Sequence, residues 1–279
     1  MPRASFTFIS PSENAFSLFP HSPGVIRRTF LILPTIGEAT ERKLWREGLL
    51  DWDCFLRSKS VSGISSRRKE RLDVGLHQAC VFLERGEVAY FTRLLPSREH
   101  WRFLEEAGED VAYLDIETDG LGPKAVVTMV GVHRPSGSIT LVRDIDLNEE
   151  SLSASLRGCK MLVTFNGASF DLPMIEREFP FSMPRVPHFD LRHGCARIGL
   201  TGGLKSVERQ IGIFRARELE YMTGEEAVYL WHLWKRKGNE NALKLLKRYN
   251  LEDTKNLVPI AGMVYRQLRE RTLDAGAMV

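Results

Sequence analysis

Cysteine is scarce in this chain, with four in 279 residues, Cys54, Cys80, Cys159 and Cys195. None belongs to a Cys-x-x-Cys pair or has a His at structural-zinc spacing, which argues against a disulfide framework or zinc ribbon and points to a reduced, intracellular setting. Long apolar runs are missing as well. No stretch approaches the roughly 20 apolar residues of a membrane span, and the opening Met-Pro-Arg-Ala-Ser-Phe-Thr-Phe-Ile-Ser has no signal-peptide core. The expectation is a cytoplasmic protein with no membrane partner. Charge of one sign is also lacking. Lys and Arg number 39 against 36 Asp and Glu, a net +3, so any site for a polyanion has to be local. No internal repeat or long low-complexity tract is present.

What the chain does have is apolar material, 43% of its residues, enough for one sizeable domain and a smaller one. Residues up to about Ile26 mix Ser, Pro, Phe and His without period and read as an irregular lead-in. Phe30-Leu-Ile-Leu33 is followed by a turn at Pro34-Thr-Ile-Gly37 and a helix that Gly48 stops. A basic stretch from Arg57 to Arg71 precedes helices over 72–84 and 98–106, and no strand signal occurs before Val111. The first 107 residues therefore read as a mainly helical module, with a hairpin-like segment at about 29–56 and a basic linker at 57–71. From residue 108 to 279 the rhythm changes. Strands are expected over 111–117, 126–133 and 138–143, then a helix near 148–156, a strand over 161–165 and a helix from about Ser169. Further helices follow over 204–211, 225–237 and 241–271, with Pro259 expected to kink or interrupt the last. Pro135-Ser-Gly137 leaves no room for a crossover helix, so the sheet starts antiparallel. This order is that of an α/β, ribonuclease H-like mixed sheet flanked by helices.

Acidic residues supply the chemistry. Asp115 and Glu117, two apart at the end of an apolar strand, project from one face. Carboxylates held side by side repel one another, and a hard divalent cation with oxygen ligands relieves the repulsion; a strand running out into an acidic turn has the same pattern. Asp171 follows Asn166-Gly-Ala-Ser-Phe170 in the first turn of a helix, where the helix dipole alone also favours a carboxylate. Tyr249 and Asp253 stand at i and i+4 on a helix and share a face. Such a pair can hold a water between metal and substrate, and it is equally compatible with a solvated surface.

Taken in order, the strand-borne Asp-x-Glu, the Asn-Gly-x-x-Phe-Asp after a later strand and the Tyr-Asn-x-x-Asp on a late helix resemble the three exonuclease motifs of the DEDD (DnaQ-like) superfamily of 3′-to-5′ exonucleases. With Arg at 248, five before Asp253, where the other subgroup has His, the resemblance is to the tyrosine subgroup. His188, His193 and His232 fit no such role and read as structural or surface residues. Leu33-Pro-Thr-Ile-Gly-Glu-Ala-Thr-Glu-Arg-Lys-Leu-Trp45, Leu95-Pro-Ser-Arg-Glu-His-Trp101, His188-Phe-Asp-Leu191 and Leu204-Lys-Ser-Val-Glu-Arg209 make the whole chain similar to YprB-type ribonuclease H-like proteins.

That resemblance implies a hydrolase using two divalent cations, Mg²⁺ or Mn²⁺, about 4 Å apart. Asp115 would ligate both or bridge them, Glu117 and Asp253 would complete one site, and Asp171 would hold the other directly or through water. Tyr249 would orient or deprotonate the attacking water, with Thr118 and Asn166 near the terminal nucleotide of DNA or RNA. The competing expectation is a nucleic-acid-binding protein of the same fold that does not cut. In the N-terminal part, Leu33-Pro-Thr-Ile-Gly37 resembles the hairpin of a helix-hairpin-helix element, which offers backbone N–H groups to a phosphate without reading sequence, although Thr35 stands where that hairpin usually has Gly. The basic segment 57–71 would add salt-dependent grip or serve as a solvated linker.

Overall fold

Val111–Thr118 alternates its side chains between two apolar layers, and the sheet is assembled around it. In the computed structural model, which describes residues 24–120, 122 and 124–277, this strand, β1, pairs antiparallel with β2 (Val127–Arg134), which pairs antiparallel with β3 (Gly137–Val142). On its other side β1 runs parallel to β4 (Met161–Thr164), and β4 runs parallel to β5 (His188–Asp190). The sheet thus has five strands in the order β3-β2-β1-β4-β5, the mixed, helix-flanked α/β arrangement of a ribonuclease H-like fold. The irregular lead-in read from the sequence lies almost wholly outside the described residues.

Before β1 come α1 (Glu38–Arg46), α2 (Trp52–Arg57), α3 (Ser66–Glu84), α4 (Ala89–Leu94), a 3₁₀ turn at Ser97–Phe103 and α5 (Leu104–Ala107). After β3 come α6 (Glu149–Ser155), α7 (Asp171–Glu178), α8 (Leu191–Ile198), α9 (Leu204–Gln210), α10 (Arg217–Glu220), α11 (Gly224–Lys237) and α12 (Glu240–Ala277). Starts are set by side-chain caps where the sequence offers them. Asn148 and Ser151 form a capping box on α6, Thr223 and Glu226 another on α11, and Asp190 caps α8.

Period-2 alternation sorts the sheet's two faces. Ala112, Leu114 and Ile116 of β1, with Val130 and Val132, pack against Leu152 of α6 and Ile175 of α7. Val111 and Tyr113 point the other way, joining Met161 and Val163 in a core completed by α8, the middle of α12 and the helices that precede β1. Further along that face Met129 and Val142 meet Trp231, Leu243 and Leu246 of α11 and α12. Asp115 and Glu117 continue the Val111–Tyr113 row, so the fold turns them toward α12.

The structure corrects several expectations. Strand β5 and helices α2, α4, α8 and α10 are additional to the elements expected from the sequence. Helix α3 begins at Ser66, so the basic stretch is helical from there on, and residues 97–103 form a 3₁₀ turn in place of the first part of one α-helix. Pro259 does not break α12, which is helical through it for 38 residues. The residues around the proline, Leu257, Ile260, Ala261 and Val264, are all buried, and tertiary packing there outweighs the lost backbone hydrogen bond.

How closely α12 approaches the sheet depends on Gly131 of β2, the register partner of Asp115. A Cβ at 131 would lie 2.3 Å from Asn250 Oδ1 and 2.9 Å from Thr254 Cγ2. Gly131→Ala is therefore expected to destabilise the protein by about 1–3 kcal/mol through overpacking, read as a lower urea midpoint; an unchanged midpoint would contradict the close approach.

Candidate metal centre

Three chain segments converge where β1 ends against α12. Asp115 and Glu117 come from β1 and Asp253 from α12, and one ligand oxygen from each lies within 4.8 Å of the others. Among the described residues this is the one group of acids, histidines or cysteines so gathered. Asn250, one turn before Asp253, donates from Nδ2 to the Asp115 carbonyl at 3.3 Å and to Asp115 Oδ2 at 3.0 Å. The carboxylate nearest the sheet is thereby fixed from the helix that brings its partner.

Asp171, the first residue of α7, is not one of the three within 4.8 Å. Its Oδ1 accepts from the Ile116 N–H at 3.2 Å, which ties it to β1 between Asp115 and Glu117. The loop that delivers it is tightly made. Asn166 has a φ of 67°, and a Cβ at Gly167 would sit 2.3 Å from Thr164 Oγ1, so the chain leaves β4 by a turn only glycine fits. Asp190 of β5 pins this loop, accepting from Asn166 N at 2.8 Å and Ala168 N at 3.1 Å.

Of the residues read as neighbours of the substrate, Thr118 is buried and its Oγ1 donates to the Gly120 carbonyl at 2.7 Å. Asn166 accepts at Oδ1 from Arg192 Nη1 at 2.8 Å and Ser169 Oγ at 3.0 Å. His188 pairs with Thr164 Oγ1 at 2.8 Å, and burial holds its imidazole down at about 4. His232 Nε2 lies 3.2 Å from the Asp119 carbonyl, and His193 is exposed.

Sequence reasoning missed the cations and their holders. Arg215, buried between α9 and α10, ion-pairs through Nη1 with Asp253 Oδ1. Its Nε donates to Glu208 Oε2 at 2.7 Å and its Nη2 to Oε1 at 2.5 Å, while Asn256 Nδ2 donates to the same Oε1 at 2.9 Å. Lys205 Nζ and the Arg215 guanidinium stand 4.6 Å and 5.7 Å from the Tyr249 ring centroid. Lys205 and Glu208 lie in the Leu204–Arg209 stretch singled out by resemblance; for Arg215 and Asn256 no local pattern signals the role.

Burial and mutual repulsion dominate the electrostatics. Desolvation first, then the neighbouring acids Asp253 and Asp171, push the Asp115 and Glu117 carboxyls well above their ordinary values. Burial, opposed by the Ile116 N–H, raises Asp171 to about 7. Asp253 rises to about 6, less than its burial alone would cause because Arg215 stabilises the charged form. The Tyr249 phenol is pushed far up by burial and then by Asp253, Glu117 and Asp115, and stays protonated. Hard oxygen donors crowded at this cost fit a divalent cation, which replaces repulsion by attraction.

Comparison with known proteins agrees with the fold. Residues 112–265, more than half of the chain, match the RNase_H_2 family model of the RNase_H superfamily. No curated protein matches. Among solved structures, the chain is similar to the family B DNA polymerase from the hyperthermophilic archaeon Pyrobaculum calidifontis, at 15% identity and a TM-score of 0.44, over 61% of this chain and 27% of the polymerase. This chain therefore spans well under a third of that polymerase's length. With its mixed sheet, its clustered acids and a family match across all five strands, the chain belongs to the RNase_H superfamily.

Proposed function

We propose that the protein is a metal-dependent 3′-to-5′ exonuclease of the DEDD superfamily, tyrosine subgroup and YprB type, hydrolysing phosphodiester bonds of DNA or RNA. The observation that carries the proposal is the convergence of Asp115, Glu117 and Asp253 within 4.8 Å, close enough to Tyr249 to raise its pKa. Asp115, Glu117, Asp253 and Asp171 would hold two divalent cations, Mg²⁺ or Mn²⁺. Bound there, such ions supply charge neutralisation at the scissile phosphate and acidify the attacking water.

The chain's own groups do the positioning. Tyr249, protonated, orients the attacking water by hydrogen bonding and does not take its proton. Asn250 holds Asp115 by Oδ2, which leaves Oδ1 for ligation. Arg215 and Glu208 fix the direction of Asp253. Thr118 and Asn166 flank the terminal nucleotide. Residues 1–107 tether the nucleic acid through the segment 29–56 and the basic stretch 57–71. Thr35 has a φ of 65°, the left-handed conformation for which such hairpins use glycine, and Arg68 Nη2 holds it by its carbonyl at 3.2 Å and Oγ1 at 2.8 Å.

One observation favours a nucleic-acid-binding protein that does not cut: Arg215 already occupies an oxygen of Asp253. A gel assay on 3′-labelled and 5′-labelled DNA and RNA separates the two. Asp115→Ala is expected to abolish cleavage, and Tyr249→Phe to slow it about 10²-fold with cation affinity kept. A one-nucleotide ladder from the 3′ end that chelator removes is the expected pattern; tight binding with intact substrate, or full activity in Asp115→Ala, would refute the proposal.

Cation binding also reverses a pH dependence. Carboxyls with raised folded-state pKa stabilise the metal-free chain below their ordinary value of 3.8, and that contribution is lost as pH rises through about 6 for Asp253 and about 7 for Asp171. In chelator, the melting temperature should fall from about pH 5 to about pH 8. Added Mn²⁺ should raise it, by an increment that grows with pH and shrinks in Asp253→Asn; equal increments at both ends of the range would contradict the site.

A further inference from the structure

Away from the acids, the outer end of α12 closes a cleft of about 290 Å³ with α1, the 3₁₀ turn at 97–103 and α8. Its α12 wall begins at Leu268, 15 residues past Asp253 on one continuous helix, roughly 22 Å along at 1.5 Å per residue. Arginine dominates the lining. Arg42, Arg102, Arg197 and Arg271 face the cleft with Glu38, Glu41 and Glu99, and Arg98 pairs with Glu38 at 2.7 Å. All three acids are engaged. Glu41 accepts from Thr29 Oγ1 at 2.6 Å, the Phe30 N–H at 2.7 Å and Arg102 Nη2 at 3.2 Å. Glu99 accepts from Arg102 Nε at 2.8 Å and the Trp101 indole N–H at 3.0 Å on one oxygen, and pairs with Arg197 Nη2 at 3.1 Å on the other. Five arginines against three glutamates leave two positive charges unmatched, and the pairing shows which they are. Arg42 lies 4.0 Å from a Glu38 that Arg98 already holds. Arg271 donates to the backbone carbonyls of Arg197 at 2.6 Å and Ile198 at 3.3 Å, and forms no ion pair among the described residues. Both side chains belong to exposed residues, so an anion arriving from water can reach them.

We propose that this cleft binds a small phosphate monoester, its dianion held by Arg42 and Arg271 and its organic body set against Trp45 and Leu268, the apolar part of the lining. Guanidinium forks match phosphate oxygens with paired hydrogen bonds, and a doubly negative group balances the two unmatched charges. A single carboxylate balances only one. The volume is at the small end for ligand sites, which suits a compact molecule. Bound there, the ligand ties α1 and α8 to the far end of the helix that carries Asp253. The site goes beyond the nuclease reading and stands without it.

The test is calorimetric titration of the full chain, in chelator so that no cation draws the probe to the acids, with AMP, inorganic phosphate, adenosine and a 5′-phosphorylated oligonucleotide. AMP should bind at one per chain and more tightly than inorganic phosphate, and adenosine should not bind. Arg42→Gln and Arg271→Gln should each weaken AMP about tenfold, the loss of one charged contact, while Asp115→Ala binds AMP as wild type does. Arg42 has a half-exposed side chain with only its 4.0 Å contact to Glu38, so its variant reads the site even if Arg271→Gln disturbs the fold. AMP bound no more tightly than inorganic phosphate, or neither bound, would overturn the proposal. So would unchanged affinity in Arg42→Gln, or binding lost in Asp115→Ala, which would put AMP at the acids. An oligonucleotide bound more tightly than AMP would assign the cleft to a strand end and overturn the small-molecule site. Cleavage is not among the readouts, so failure here leaves the nuclease proposal untouched, and an inactive enzyme leaves the cleft untouched.

Discussion

Everything at the acidic centre depends on α12 lying directly on the sheet where β1 and β2 pair. A helix crossing a β-surface is normally held off by the side chains beneath it, at a separation too large for a short amide to touch the strand backbone. At Gly131 that layer has a gap, and Asn250 fills it, with its amide reaching both the carbonyl and the carboxylate of Asp115. Asp253, one turn further along, is thereby carried over Glu117. Helix position, strand register and carboxylate spacing are set by one contact, so none can shift without the others.

The same contact concentrates negative charge in a place that disfavours it. Asp115, Glu117, Asp171 and Asp253 are removed from water and face one another, and each is held above its ordinary pKa. The chain answers in part from within. Arg215 meets Asp253, and Glu208 with Asn256 keeps Arg215 in place, so Asp253 is raised less than Asp171. Among the described residues the acids on β1 form no ion pair, and Arg215 and Lys205 offset the charge of Asp115 and Glu117 only from a distance. This asymmetry divides the centre into a side held by an ion pair and a side whose charge the protein offsets less.

Much of this was legible in the sequence where the pattern is local. The apolar run from Val111 to Leu114 marked β1, the two-residue spacing put Asp115 and Glu117 on one face, and the Pro135-Ser-Gly137 turn marked the β2–β3 hairpin. The i, i+4 spacing put Tyr249 and Asp253 on one side of a helix. What stayed hidden was set by tertiary contacts. Three residues, His188-Phe-Asp190, are too few to show a period, and they are a strand because β4 pairs with them. Pro259 argued against a continuous helix and was overruled by the buried residues around it. Arg215 lies in a stretch with no motif, and its importance is visible only once α9 and α12 bring Glu208 and Asp253 to it.

One further consequence follows from how the residues before β1 are packed. Trp101 lies edge-on against Tyr265 of α12 at 5.8 Å between centroids, the Tyr265 hydroxyl donates to Glu105 at 2.6 Å, and one apolar cluster runs from Val25 through the sheet to Leu268. The early helices and the ribonuclease H-like half thus share a single interior and do not meet across a seam. The half that carries the acidic centre is for that reason a poor cassette. Grafted alone onto another scaffold from β1 onward, it would carry a raw apolar wall along α12, and the helix that holds Asp253 would lose the contacts that Trp101 and Glu105 make with its Tyr265.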